Sequence, residues 1–222
     1  GKLKQLKEEI NHLEASCWLI IMGTVGIRVH ELCEIEQGTH YSKIIDDERY
    51  HFIVSRSLKT GEGITSWLSP EIAIKALEVM TRLSAPMRDK LRDQIEAEKL
   101  AGDYSKAEEL ERIQHSCVLG VATKKNNEID VMSGDSINRR LNKLAKAAGV
   151  DWHFASHQFR RTFAHFVVHN QLGDLRYLRD HFKHWSLDMT ALYGFDDDLD
   201  LELFADINST YREKGESIFS HW

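Results

Sequence analysis

Apolar residues recur at helical rather than strand spacing along most of this chain, and only one stretch breaks the rule. That contrast restricts the fold to a mainly helical one with a small sheet. Residues 2–22, "KLKQLKEEINHLEASCWLIIM", show helical periodicity from the outset. In "HQFRRTFAHFVVHN" the positions Phe159, Phe163, Phe166 and Val167 do the same. Gly173 and Asp174 announce a further helix, "LRYLRDHFKH", and Ser186 caps a short one that ends at Gly194. Residues 48–68, "ERYHFIVSRSLKTGEGITSWL", instead read as two β-rich runs flanking a Lys-Thr-Gly-Glu-Gly turn. The expectation is an α+β chain, mainly α, with a small antiparallel sheet near residues 40–68.

A set of basic residues followed by a tyrosine suggests the chemistry. Arg28 stands in "GIRVHEL", His157 and Arg160 in "SHQFRRTFA", and His184 and Tyr193 in "HFKHWSLDMTALYG". A phosphodiester under attack gathers negative charge on its non-bridging oxygens, and fixed cationic donors stabilise that charge. Arginine donates two parallel bonds to phosphate and stays charged at any working pH. The phenol of tyrosine, with a pKa of about 10, ionises far more readily than an aliphatic hydroxyl. Histidine can share in proton transfers near neutrality. Helical spacing puts His157 and Arg160 three apart on one face, His184 in the turn between two helices, and Tyr193 near the end of the next.

At these positions the chain resembles the tyrosine recombinases, or phage-type integrases. "VGIRVHEL" matches their first arginine segment, "HQFR" matches their HxxR pair, and His184, Thr190 and Tyr193 match their final segment, with the nine-residue step from His184 to Tyr193 intact. The matches spread over residues 23–194. The chain departs from the family at Phe182 and Lys183, which replace Leu-Gly, and at Thr24 and Val25, which separate Gly23 from Gly26. Neither change removes a chemical group.

The resemblance implies the DNA breaking-rejoining fold with a three-stranded antiparallel sheet. It also implies strand cleavage by Tyr193 through a 3′-phosphotyrosyl link, and rejoining by another strand's 5′ hydroxyl. Arg28, Arg160 and His184 would hold the phosphate, and His157 would manage protons. A hairpin lysine protonates the leaving oxygen in that family, and Lys59 sits where it should, with Lys43 as the alternative. Glu31 reads as a structural carboxylate orienting Arg28. The implied partners are double-stranded DNA and three further copies of the chain, making a tetramer on two duplexes, with a directionality factor as a further candidate. Neither cofactor nor metal is implied, because the phosphotyrosine conserves the bond energy. The alternatives are a type IB DNA topoisomerase, which reseals the same strand, and a DNA-binding scaffold with a degenerate site.

Composition sets the remaining bounds. The 222 residues, 42% hydrophobic, can bury a substantial core. No apolar run is long enough to span a membrane. Twelve histidines include pairs at 165/169 and 181/184, but two ligands on one helix do not make a zinc site. Cys17, Cys33 and Cys117 lack Cys-x-x-Cys spacing and fit a reducing cytoplasm, here a prokaryotic or phage context with the protein at the nucleoid. The net charge of −6 equals that of residues 195–222 alone, leaving 1–194 neutral. This acidic tail also carries Leu199, Leu201, Leu203, Phe204 and Ile207, and can dock on a neighbouring protomer. Lys124, Lys125, Arg139, Arg140, Lys143 and Lys146 are candidates for a DNA-facing stripe. Residues 84–116 read as a helical-hairpin insertion broken at Ala101–Asp103, with Pro70 at a helix start and Pro86 at the hairpin's boundary. The whole chain, 1–222, is therefore read as a catalytic domain, with the family's DNA-clamping domain expected to lie outside it.

Overall fold

A computed structural model describes residues 1–45, 47–57, 63–122 and 128–169. Residues 1–160 form one compact unit. Of the remainder, the description covers only residues 161–169, which continue the last helix. Helix α1 (Lys2–Val25) ends at Gly26, whose left-handed φ of 70° closes the helix through a bond from its N–H to the Met22 carbonyl. Glycine adopts that conformation without the steric cost a Cβ brings. The short helix α2 (Val29–Cys33) follows at once.

Strands β1 (His40–Ile45), β2 (Glu48–Ser57) and β3 (Gly63–Ser69) pair antiparallel in that order. The chain is thus mainly helical with a small three-stranded antiparallel sheet. Register runs from His51 opposite Ser69 to Ser57 opposite Gly63, so the β2–β3 connection is residues 58–62.

Helix α3 (Glu71–Ala101) starts after Pro70, and Gly102 and Asp103 turn it into α4 (Tyr104–Gln114). Gly102 is left-handed, and the Asp103 carboxylate caps α4 by accepting from the Lys106 N–H at 2.9 Å. The expectation that Pro86 bounds a helix is corrected, because α3 runs through it without interruption. Proline removes one backbone donor and crowds the preceding turn. In the turn before it, the Ser84 hydroxyl donates to the Met80 carbonyl at 2.7 Å, and buried Arg88 donates to Ser84 Oγ and to the Thr81 carbonyl, so side chains brace the helix beside the proline.

A second, two-stranded sheet, β4 (Leu119–Ala122) with β5 (Glu128–Val131), has no counterpart in the sequence reading. Helix α5 (Gly134–Ala147) and helix α6 (Ser156–His169) complete the described elements.

The main core gathers Trp18, Ile21, Met22 and Val25 of α1 with Ile53, Trp67, Leu77, Met80, Ile137 and Leu141. A smaller cluster of Leu91, Ile95, Ala107, Leu110 and Leu119 seals α3, α4 and β4 together. Glu14 and Arg140 tie α1 to α5 by an ion pair, and the Arg140 guanidinium lies 5.5 Å from the Trp18 ring centroid. Burial pushes the Glu14 carboxyl up from its ordinary range, and Arg140 offsets only part of that shift. Arg140 is therefore a structural cation and leaves the expected DNA-facing stripe. No helix among the described residues is long and apolar enough to cross a membrane.

Candidate active site

The site begins where α1 stops. Gly26 turns the chain, and Arg28 becomes the N-cap residue of α2 in an extended conformation, φ −74° and ψ 153°. Glu31, three residues on, reaches back with both oxygens. One accepts the Arg28 backbone N–H at 2.8 Å and the other the guanidinium Nη1 at 3.0 Å. The Glu31 side chain is wholly buried and that of Arg28 only 15% exposed. A buried carboxylate is stable there because its charge and its lone pairs are matched. Glu31 fixes both the start of α2 and the direction of the arginine.

Arg160 approaches from α6. Its Nη1 donates to the Gly26 carbonyl at 3.1 Å, and its guanidinium carbon lies 5.9 Å from the ring centroid of Trp67. Trp67 is buried on β3 and donates from Nε1 to Ser55 Oγ of β2 at 3.1 Å. The two arginines thus converge on one turn of backbone, Gly26–Arg28, with the sheet beneath. Each guanidinium is held in place, that of Arg28 by a carboxylate and that of Arg160 by a carbonyl and an indole face, and fixed cations of this kind are the sort that can stabilise an oxyanion.

Helix α6 is positioned by two asparagines that sequence reasoning missed. Asn142 Nδ2 donates to the Phe154 carbonyl and Asn142 Oδ1 accepts the Phe154 N–H, both at 2.8 Å. Asn138 Oδ1 accepts the Ser156 N–H at 3.1 Å, and Gln158 Oε1 accepts the Ala155 N–H at 3.0 Å. The N-terminus of α6 is therefore fastened to α5 by side chains. The four-residue spacing of Asn138 and Asn142 on one helix face was visible in the sequence, but the strand of chain they grip was not. The ring of buried Phe159 stacks on Phe154, 5.4 Å between centroids, and adds an apolar contact at the same corner. His157 lies exposed on the first turn of α6, one turn before Arg160.

The remaining expected site residues, Lys59, His184 and Tyr193, lie outside the described residues. The strands that flank Lys59 are described, and Trp67, near the Arg160 guanidinium, lies toward the far end of β3 from that connection. Lys43, the alternative lysine, extends its Nζ over Tyr41, 5.5 Å from the ring centroid. The three cysteines supply no competing nucleophile near neutral pH. Burial pushes the Cys17 thiol up to about 11 and Cys33 up to about 12, and raises Cys117 as well. Among the described residues no group of three metal-ligating side chains converges.

The described residues thus bring Arg28 and Arg160 to one helix junction, beside a three-stranded sheet, on a mainly helical body. The sequence profile of the phage integrase family matches residues 2–198, and the chain belongs to that family. A tyrosine recombinase of Agathobacter rectalis is 34% identical over 62 residues, 28% of this chain and 20% of that protein. The crystal structure of XerA recombinase superimposes over 88% of this chain and 58% of that one, with a TM-score of 0.52 at 20% identity. The second likeness speaks for the fold. This chain spans about three fifths of the solved relative and matches a fifth of the curated one.

Proposed function

We propose that this chain is the catalytic part of a site-specific recombinase, an integrase that cuts and rejoins double-stranded DNA through a 3′-phosphotyrosyl intermediate on Tyr193. The observation that carries the reading is the convergence of Arg28 and Arg160 on the Gly26 turn, in a chain of the phage integrase family. The Tyr193 oxygen attacks the scissile phosphorus, forming the phosphotyrosyl bond as the bond to the 5′ oxygen breaks. The phenol proton passes to His157, and Lys59 returns a proton to the departing 5′ oxygen. Arg28, Arg160 and His184 hold the non-bridging oxygens throughout. A 5′ hydroxyl from another strand then attacks the phosphotyrosine and frees Tyr193. Each step exchanges one phosphoester for another, so no nucleotide is consumed, and the cationic side chains answer the developing charge without a metal.

Strand exchange requires four protomers on two duplexes, with the acidic tail 195–222 docked on a neighbouring protomer. The setting is the cytoplasm of a bacterium or phage-infected cell, at the nucleoid, where a directionality factor can choose the direction.

A nicked suicide substrate tests this reading. The parent chain should form an SDS-resistant adduct with the DNA, and Tyr193→Phe should form none while binding the duplex equally well. An adduct that persists in the Phe variant removes Tyr193 from its role and points to Tyr177 or Tyr211.

A further inference from the structure

Trp152 poses a separate question. The other two tryptophans among the described residues, Trp18 and Trp67, are 2% and 1% exposed, whereas Trp152 is 60% exposed and Val150 beside it 47%. The ring is nevertheless held. Its Nε1 donates to Gln158 Oε1 over a long 3.4 Å, and the same oxygen accepts the Ala155 N–H at the start of α6. The one polar atom of the indole is thereby engaged with the protein, and the rest of the exposed side chain is carbon. A fixed aromatic of this kind loses little freedom when a partner covers it, which is why tryptophan so often anchors interfaces.

The setting selects the partner. Residues 152–156 run back along α5, with Phe154 paired to Asn142 and Ser156 to Asn138, so two residues of extended chain span four of helix. The same step sets Trp152 level with Lys146, one turn beyond Asn142. Between Ser136 and Arg160 the chain carries Arg139, Arg140, Lys143, Lys146 and Arg160 against one carboxylate, Asp151, although its overall net charge is −6. Arg140 is paired with Glu14, while Arg139, Lys143 and Lys146 are open to solvent or nearly so. A second copy of this surface would bring like charges together, and an anionic partner would not. The patch is also continuous with the candidate site, because Gln158 follows His157 and stands two residues before Arg160. The major groove of a duplex is alone about 12 Å wide, so DNA that presents a phosphate at Arg160 extends over the residues beside Gln158.

We propose that Trp152 is a non-ionic contact to double-stranded DNA. Its ring packs against the sugars and base edges beside the phosphate at Arg28 and Arg160, and Lys146 meets the backbone next to it. The inference rests on the DNA-acting reading of this site and adds to it a residue outside the set that does the chemistry.

Equilibrium binding of the 222-residue chain to a short duplex of arbitrary sequence, measured over a salt series, tests it. Ionic contacts set the slope of log affinity against log salt, and an apolar contact shifts that line without tilting it. Trp152→Ala should raise the dissociation constant about 10-fold at every salt concentration and leave the slope unchanged. Trp152→Phe keeps a ring but lacks the N–H that reaches Gln158, and should bind within about threefold of the parent. A Phe variant as weak as the Ala variant would mean that the indole acts by positioning α6 through Gln158, which overturns the proposal. Parental affinity in Trp152→Ala overturns it too, and loss by that variant of binding to a peptide of residues 195–222 would then give the patch to the acidic tail. Failure here is distinct from failure of the recombinase reading. A chain that shows these binding changes yet forms no adduct with nicked DNA supports the contact and sinks the cleavage chemistry.

Discussion

The Arg160 guanidinium donates to the carbonyl of Gly26, two residues before Arg28. One left-handed glycine therefore sets the position of both arginines, one through its carbonyl and the other through the chain that follows. Forcing a Cβ into that conformation costs roughly 1–2 kcal/mol, which the backbone relieves by rotating the carbonyl away. Gly26→Ala should lower the melting temperature by several degrees and slow DNA cleavage more than it weakens DNA binding. Gly26→Asn should recover much of the stability, because asparagine tolerates left-handed backbone. Calorimetry alongside single-turnover cleavage checks both. A Gly26→Ala variant that cleaves at the parental rate would separate the turn from the site.

Asn142 makes the second prediction. Its amide pairs with both backbone groups of Phe154 and sets the angle at which α6 leaves α5. Asn142→Leu keeps the volume but strands a backbone N–H and a carbonyl in a half-buried place, at a cost of about 2 kcal/mol. Because α6 carries His157 and Arg160, the maximal cleavage rate should fall while the DNA dissociation constant moves little. Asn142→Asp keeps the acceptor for the Phe154 N–H and should lie between the two. If the leucine variant loses stability but no rate at a temperature where it is fully folded, Asn142 only holds the fold.

These residues also mark how far the sequence could be read. The helical periodicity before Gly26 and around Phe159, and the β-rich runs on either side of the Lys-Thr-Gly turn, are local signals, and the corresponding elements follow them. Arg28 could be placed beside Glu31 because three residues make one helical turn. Trp67 beneath Arg160 carried no such signal, since 93 residues separate the two and only the packing of β3 against α6 joins them. The passage of α3 through Pro86 was equally hidden, because proline reads locally as a boundary and the side-chain bonds of Ser84 and Arg88 beside it are not counted by propensity rules. The sheet of β4 and β5 is short, four residues a strand, and too brief to show an alternation. Arg140 illustrates the opposite error. Charge alone suggested a DNA contact, but its partner Glu14 lies in the first helix.

Lys59 makes the third prediction. It lies in the five-residue connection between Ser57 and Gly63, which are paired across β2 and β3. If it protonates the leaving 5′ oxygen, Lys59→Ala should be slow on ordinary DNA by a factor on the order of 10²–10⁴. Replacing that bridging oxygen with sulfur gives a leaving group that needs no proton, and cleavage should return close to the parental rate. Persistent slowness on the sulfur substrate would move the acid elsewhere, with Lys43 the residue to test next.

The last prediction separates cations that meet DNA from those that hold the fold. Helix α5 turns three different faces outward from its axis: Ile137, Leu141 and Ala145 into the core, Asn138 and Asn142 toward the start of α6, and Arg139, Lys143 and Lys146 into solvent. The exposed three recur at four and three residues, so they form one cationic line along the helix. Each phosphate they neutralise releases counterion, contributing about 0.9 to the slope of log affinity against log salt. Replacing all three with alanine should flatten that slope by about 2 to 3 and leave the melting temperature within a degree or two. Arg140→Ala should do the reverse, leaving the slope unchanged while stranding the buried Glu14 carboxylate and lowering stability. The sign of its pH dependence follows from the cause of the Glu14 shift. Burial favours the protonated acid, so the penalty in Arg140→Ala should be small below the ordinary carboxylate pKa and grow as the pH rises through the raised one. Thermal melts of both variants across acid to neutral pH would separate the two kinds of cation. A triple variant that keeps the full salt slope would remove α5 from the DNA interface.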